Sequence, residues 1–380
     1  MPDHIIRQFS DSDTEGVVRL YNDVFAPLRP FHSWPISVER LRDKVLGCWE
    51  FDREGFWLAC SGRRLIGFVL ASCRTRAITE NDSDPNQTAH VSAVAVDPRY
   101  RRRGIGRALC AKADEFARAR GARAIAAFSN PMAPMAFFIG VEQTWTGAHA
   151  FLNAIGYDQK DSSQNLVQPL AGFELSAEAA AKIRQLQSQG YECRTCEERD
   201  FPSLERMLAG AWPFWQLDVL SKIGRWTRTR PFIETCFLDC STDEIYGPDE
   251  IGIVAKDGEV LSYCVQTIGR EKRRAYAGPV FTREDARCLG LGLVAVQLSL
   301  KRAAEKGAVL ADVWTGTDAH RSHFYRKCGY QPMLRWLRFE KTLQRCPVRG
   351  PTEDGRRLRR AAGPFLGSSA KNQSRLLHLR

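Results

Sequence analysis

Long apolar runs are missing from this 380-residue sequence. None approaches the ~18–20 uninterrupted apolar residues needed to span a bilayer, which argues against a membrane protein. The opening, MPDHIIRQFSDSD, lacks a basic start followed by an apolar stretch, so it does not read as a secretion signal. The expectation is a cytoplasmic chain with no membrane partner. Metal patterns are missing too. Cys193 and Cys196 have CxxC spacing, but no second CxxC or His pair completes a zinc site, and no metal is expected. Most of the 12 cysteines then serve as small hydrophobes, as the apolar surroundings of Cys60, Cys73, Cys110, Cys236 and Cys264 indicate.

Acidic residues are in deficit, 44 against 55 Lys and Arg, for a net charge of +11. The excess is local. Between Gln344 and Arg380 nine basic residues face two acidic ones, so this segment carries +7 and the rest of the chain only +4. Rich in Gly, Pro, Ser and Arg and without an apolar period, residues 344–380 read as a disordered, solvated basic tail. Nucleic acid is not expected as a partner on this charge distribution. What the chain does have, 44% hydrophobic and 10% aromatic residues, suits a globular protein long enough for two domains.

The strongest signal is an internal repeat. Ile6-Arg7, a polar stretch, Asp13 and the helical pattern TEGVVRLYNDVF are answered by Cys193-Arg194, Asp200 and FPSLERMLAGAW, at an offset of 187. GFWLACSGRRLIGFVLASC and IGIVAKDGEVLSYCVQTI each read as two strands around a tight turn, at Ser61-Gly62 and Asp257-Gly258. A strand, a glycine loop and an amphipathic helix stopped by Gly121 or Gly307 follow in each, Arg101 and Arg287 being 186 apart. FLNAIGY (151–157) is matched by FYRKCGY (324–330). These landmarks divide the chain into a first copy at 1–170, a linker helix at 171–190, a second copy at 191–343 and the tail at 344–380. Strands first, then strand–loop–helix units, predict a mixed α/β fold in each copy with helices flanking the sheet.

The loop DPRYRRRGIGRAL (97–109) carries the chemistry. Gly104 and Gly106 let several backbone N–H groups converge, the following helix adds its positive end, and Arg101, Arg102, Arg103 and Arg107 add formal charge. Together they suit a pyrophosphate. No third glycine completes GxGxxG and no GK[ST] completes a P-loop, so neither common nucleotide motif applies. The run Val94-x-Val96-x-Pro98-x-x-Arg101-x-x-Gly104-x-Gly106 resembles the acyl-CoA motif of the GNAT superfamily, and the resemblance extends over both copies but not the tail. It implies a mostly antiparallel central sheet in two tandem domains and acetyl-CoA as co-substrate. It further implies that the backbone from Arg101 through Gly104, Ile105 and Gly106 to Arg107 faces the pyrophosphate, and that Val94 and Val96 face the pantetheine. The second copy keeps Val280, Thr282, Arg287, Gly290 and Gly292. It has Glu284 for Pro98 and Cys288-Leu289 for Arg102-Arg103, which weakens attraction for an anion. The expectation is one CoA site, in the first copy.

Acyl transfer to an amine needs a deprotonated amine, a polarised thioester carbonyl and a proton for the departing thiolate. The tyrosine that members of this superfamily use as acid is present as Tyr325 in FYRKCGY, whereas the first copy has Leu152 there. His90, opening HVSAVAV, resembles the first histidine of the His-x-His pair in arylalkylamine N-acetyltransferases, with Ser92 at the second place. Glu142 lies in an unusually long connection with Phe137, Phe138 and Trp145, a candidate acceptor wall. Trp212, Trp215 and Trp226 are candidates to stack on an acceptor, or equally to be core. The implied function is acetyl transfer to a primary amine of a small molecule. Protein acetylation and non-catalytic CoA sensing are the alternatives.

Overall fold

A computed structural model describes residues 4–25, 35–48, 50–74, 87–127, 140–209, 216, 219–220, 222–224, 247–269 and 273–343. Phe137, Phe138, Trp212, Trp215, Trp226 and the basic tail lie outside the described residues. The first copy contains β1 (Ile5–Gln8), α1 (Thr14–Phe25), α2 (Val38–Leu41), β2 (Phe56–Ser61), β3 (Arg64–Ser72), β4 (Thr88–Val96), α3 (Ile105–Ala119), β5 (Ala124–Ala127), β6 (Val141–Glu142), α4 (Thr146–Ala154) and β7 (Asp158–Pro169). The linker forms α5 (Ala177–Ser188). The second copy adds β8 (Glu192–Thr195), α6 (Phe201–Leu208), β9 (Ile251–Lys256), β10 (Glu259–Gly269), β11 (Arg274–Thr282), α7 (Leu291–Glu305), β12 (Leu310–Gly316), α8 (Ala319–Lys327) and β13 (Gln331–Thr342). Among the described residues no helix is long and apolar enough to cross a membrane.

Repeated sequence makes repeated local structure. Arg7 pairs with Asp13 at 2.6 Å, and Asp13 accepts the Ser10 N–H ahead of α1. Arg194 pairs with Asp200 at 2.6 Å, and Asp200 accepts the Glu197 N–H ahead of α6. Each carboxylate thus ties a strand end to a helix start. The hairpin turns need left-handed residues and have them: Gly62 at φ +56° in one copy, Asp257 at +51° and Gly258 at +79° in the other.

The strands form one sheet in the order β1-β2-β3-β4-β5-β13-β7-β12-β11-β10-β9-β8. It is mixed but mostly antiparallel; β4–β5 and β11–β12 are parallel. The centre of this order is a strand exchange. β13, the last strand of the second copy, pairs with β5 of the first, and β7 of the first pairs with β12 of the second. The cores are shared accordingly. Trp336, Leu337, Phe339 and Leu343 complete the first copy's core, and Leu166 and Leu170 complete the second's. Residues 1–343 form one compact unit. The boundary at 170–190 therefore separates repeats of sequence, while the sheet runs across it.

The linker helix has a place of its own. Ser176 caps α5 by accepting the Ala179 N–H and gives its own N–H to Gln297 of α7 (2.9 Å). Ile183 and Leu186 pack with Leu291, Val294 and Leu298, an apolar second face of α7. α3 has Ala108 and a half-buried Lys112 in the places of Val294 and Leu298.

Candidate functional site

β4 and β5 run parallel for four residue pairs, from Thr88↔Ala124 to Val91↔Ala127, where the described part of β5 ends. Asp97 donates its N–H to the Ile66 carbonyl of β3 (2.8 Å). Main-chain groups alternate along a strand, so those of Val94 and Val96 turn away from β3, toward the side on which β5 lies. The Val96 carbonyl accepts from Arg101 Nε at 3.0 Å. Ser92 Oγ is buried and, among the described residues, has no hydrogen-bond partner.

Ser92 is also an extra residue. Leu70 pairs with Ala93 and Ala71 with Val91, so Ser92 bulges and reverses the alternation of side chains. Val96 faces α3, its Cγ2 lying 3.7 Å from where a Cβ on Gly106 would be. Without the bulge His90 would face α3 as well. With it, His90 pairs with Ser72 and turns to the opposite face. Burial pushes the His90 pKa down to about 4, and the charges of Arg74 and Arg338 push the same way.

In the loop after β4 Arg102 is left-handed (φ +65°), Gly104 is left-handed (φ +80°), and the Ala108 N–H is the first to bond within the helix, to the Gly104 carbonyl. The N–H groups of the first helical turn are unclaimed by the helix, which makes an anion-binding cradle. Among the described residues a Cβ on Gly104 would meet nothing within 4 Å. The loop arginines are partly committed elsewhere: Arg103 lies over the Tyr100 ring (5.3 Å) and Arg107 reaches the Ala154 carbonyl (3.2 Å). Gly106 has a packing role that the motif alone does not reveal, since a Cβ there would meet Phe151 at 3.2 Å.

The second copy reproduces this loop in backbone: Cys288 at φ +65°, Gly290 at +80°, the Arg283 N–H on the Leu261 carbonyl (2.9 Å), and Phe324 against Gly292. The two loops differ in side chains and in cover. Residues 283–293 hold two arginines and two acids, against five arginines and one aspartate at 97–107. Glu284 takes Arg287 at 3.3 Å. Lys182 of α5 lies across Gly290, its Cε 3.2 Å from a Cβ position there. Nothing in the linker's sequence marked that cover.

Of the three catalytic candidates, two share a face. Glu142 pairs with Trp336 on β13; His90 shares a row with Ala126 and Glu340. Cross-strand partners point the same way, so His90, Glu142, Trp336, Arg338 and Glu340 all lie on the face away from α3. Lys341, next along β13, points the other way to Asp114 of α3 (2.5 Å). Glu142 is buried and accepts a hydrogen bond from Thr144; Trp145 packs edge-on against Trp336 (6.1 Å). Tyr325 is not with them. It packs with Phe324 and Tyr330 in the second copy's core, where burial raises its pKa.

A left-handed loop opening a helix, with a bulge in the strand before it, recurs in both copies, and in the second the parallel pair β11–β12 ends at Ala277↔Val313 although both strands go on. The family model for the acetyltransferase (GNAT) family matches residues 17–138 and 207–330, and the chain belongs to that family. An uncharacterized N-acetyltransferase of Methanocaldococcus jannaschii is 27% identical over 164 residues, covering 42% of this chain and 62% of the relative's length. In structure, the GCN5-related glucosamine N-acetyltransferase region of a fungal multi-domain GH3 β-N-acetylglucosaminidase matches with TM-score 0.66 at 16% identity. That match covers 89% of this chain and 38% of the fungal one. A GCN5-related N-acetyltransferase from Sphaerobacter thermophilus gives 0.59 at 16% identity over 90% of this chain and 97% of its own. A tandem GNAT protein of the clavulanic acid biosynthesis pathway gives 0.56 at 17% identity over 90% and 99%. At such identities the structural likeness is one of fold.

Proposed function

We propose that the chain is an acetyl-CoA-dependent N-acetyltransferase that acetylates a primary amine of a small molecule, the amine attacking the thioester directly in a ternary complex. The observation that carries this reading is the contrast between two loops of one backbone shape. The loop at 97–107 is open and strongly cationic; that at 283–293 is neutral in sum and crossed by Lys182. Acetyl-CoA then belongs to the first copy, its pyrophosphate on the N–H groups from Arg101 to Arg107 and its pantetheine along Val94 and Val96. The orphaned Ser92 hydroxyl and the open space at Gly104 fit that occupant.

The thioester carbonyl would lie near the β4 bulge, where main-chain N–H groups can polarise it. As nitrogen bonds to the carbonyl carbon, the carbon–sulfur bond breaks and the amine's proton must leave. His90, neutral at physiological pH, can accept that proton directly or through water and release it to solvent. The thiolate is a stable leaving group and takes its proton from water, so Leu152 in place of a tyrosine is tolerable.

Mass spectrometry of an amine library incubated with the full chain and acetyl-CoA tests the reading. At least one small amine should gain an acetyl group, with one thiol released per transfer. Acetyl-CoA binding without any transfer would instead make the chain a binding protein.

A further inference from the structure

We infer that Ser72 is a positioning residue for His90: its hydroxyl accepts the imidazole Nδ1–H and so leaves the Nε2 lone pair to take the amine's proton. This rests on the reading that His90 is the base of an acetyl transfer.

The placement follows from the register of β3 and β4. Gly67 faces α3, where a Cβ would meet Leu109 at 3.1 Å and Ile105 at 3.3 Å. Side chains alternate along β3, so Phe68, Leu70 and Ser72 take the opposite face. The Ser92 bulge brings His90 to that same face and directly across from Ser72. Side chains paired in this way have Cβ atoms about 4.5–5.5 Å apart. Within the imidazole, Nδ1 lies at the root of the ring and Nε2 at its tip. A serine hydroxyl, one bond from its own Cβ, stands level with the root. Its reach therefore selects Nδ1.

Ser72 is 1% exposed, and its Oγ has no hydrogen-bond partner among the described residues. Buried hydroxyls are rarely left so, and rotation about one bond turns this one toward the imidazole. The direction of the bond decides the chemistry. A neutral imidazole holds one proton, and the nitrogen that keeps it cannot act as base. A group that accepts from Nδ1–H puts the lone pair on Nε2. When Nε2 then takes the amine's proton, the amine's N–H bond breaks and the Nδ1–H bond to Ser72 stays in place. A hydroxyl sets the tautomer without a charge of its own, whereas a carboxylate in its place would hold the imidazole protonated.

Heteronuclear NMR of the full chain carrying ring-labelled histidine tests this without requiring turnover, the His90 signals being those absent from His90→Gln. His90 should carry its proton on Nδ1. Ser72→Ala should shift it toward the Nε2–H form and lower kcat about tenfold for an amine the chain acetylates, with KM for acetyl-CoA unchanged. Ser72→Thr should restore both, since the second copy already carries a threonine, Thr267, at the matching place opposite Tyr276. A parent His90 protonated on Nε2, a tautomer unmoved in Ser72→Ala, or a threonine variant no better than the alanine one would overturn the proposal. A Ser72-dependent tautomer in a chain that acetylates no amine would uphold the pairing and refute the enzymatic reading.

Discussion

His90 lies on the face away from α3 because Ser92 bulges, and that one extra residue also sets what the imidazole can do. With a pKa near 4 it is neutral from pH 6 to 9, so its own ionisation puts no break in the activity profile there. The amine is different, since most of it is protonated at pH 7. His90→Ala should therefore lower kcat/KM by about 10²-fold at pH 6 and recover much of that by pH 9, where free amine is abundant. Rates of the two proteins across this range decide it: a constant ratio near one makes the histidine a bystander and moves attention to Glu142. Stability supplies a second sign. A histidine whose pKa falls on folding binds more protons unfolded than folded between about pH 6.5 and 4, so stability is lost as pH drops through that window. His90→Gln should flatten the fall of Tm from pH 6.5 to 4, and a fall as steep as the parent's would mean that His90 is not buried neutral.

At the scale of elements, much was legible in advance. Hairpins announced themselves by Asp257-Gly258 and Ser61-Gly62, and the strand–loop–helix unit by Gly104-x-Gly106, because left-handed backbone needs particular residues. The bulge left no such mark, since Ser92 sits in an unbroken strand pattern and only pairing with β3 reveals the extra residue. The cover on the second loop was hidden for a similar reason. Lys182 belongs to an ordinary polar helix, and its effect depends on α5 docking against α7. The two loops make a paired test. Gly104→Val puts a β-branched residue at φ +80° and a side chain into the cradle, and should abolish CoA binding measured by calorimetry. Gly290→Val carries the same strain in the loop to which the proposed function assigns no CoA, and on that reading should leave binding intact. If Gly290→Val alone loses CoA, the cofactor belongs to the second copy.

For the whole molecule, the repeat told how many copies to expect but not how they share strands. β7 and β13 each follow a helix, a glycine and a tyrosine, so either order of pairing satisfies the local pattern. Only tertiary burial separates them, through Trp336, Phe339 and their neighbours closing the first copy's core from the far end of the chain. The exchange makes each half depend on the other. Burying Trp336, Leu337, Phe339 and Leu343 contributes about 1.5–3 kcal/mol each, or about 6–12 kcal/mol together, against a whole-domain stability of about 5–15 kcal/mol. Residues 1–190 expressed alone would lack that contribution and leave one edge of β5 unpaired, while β7 would have no β12. The half-chain should therefore be insoluble or assemble with itself by strand exchange, and co-expression with residues 191–380 should restore a soluble 1:1 complex that binds CoA. Light scattering of the isolated half settles the point. A stable monomer with the full chain's CoA affinity would mean that β13 adds nothing the first copy needs.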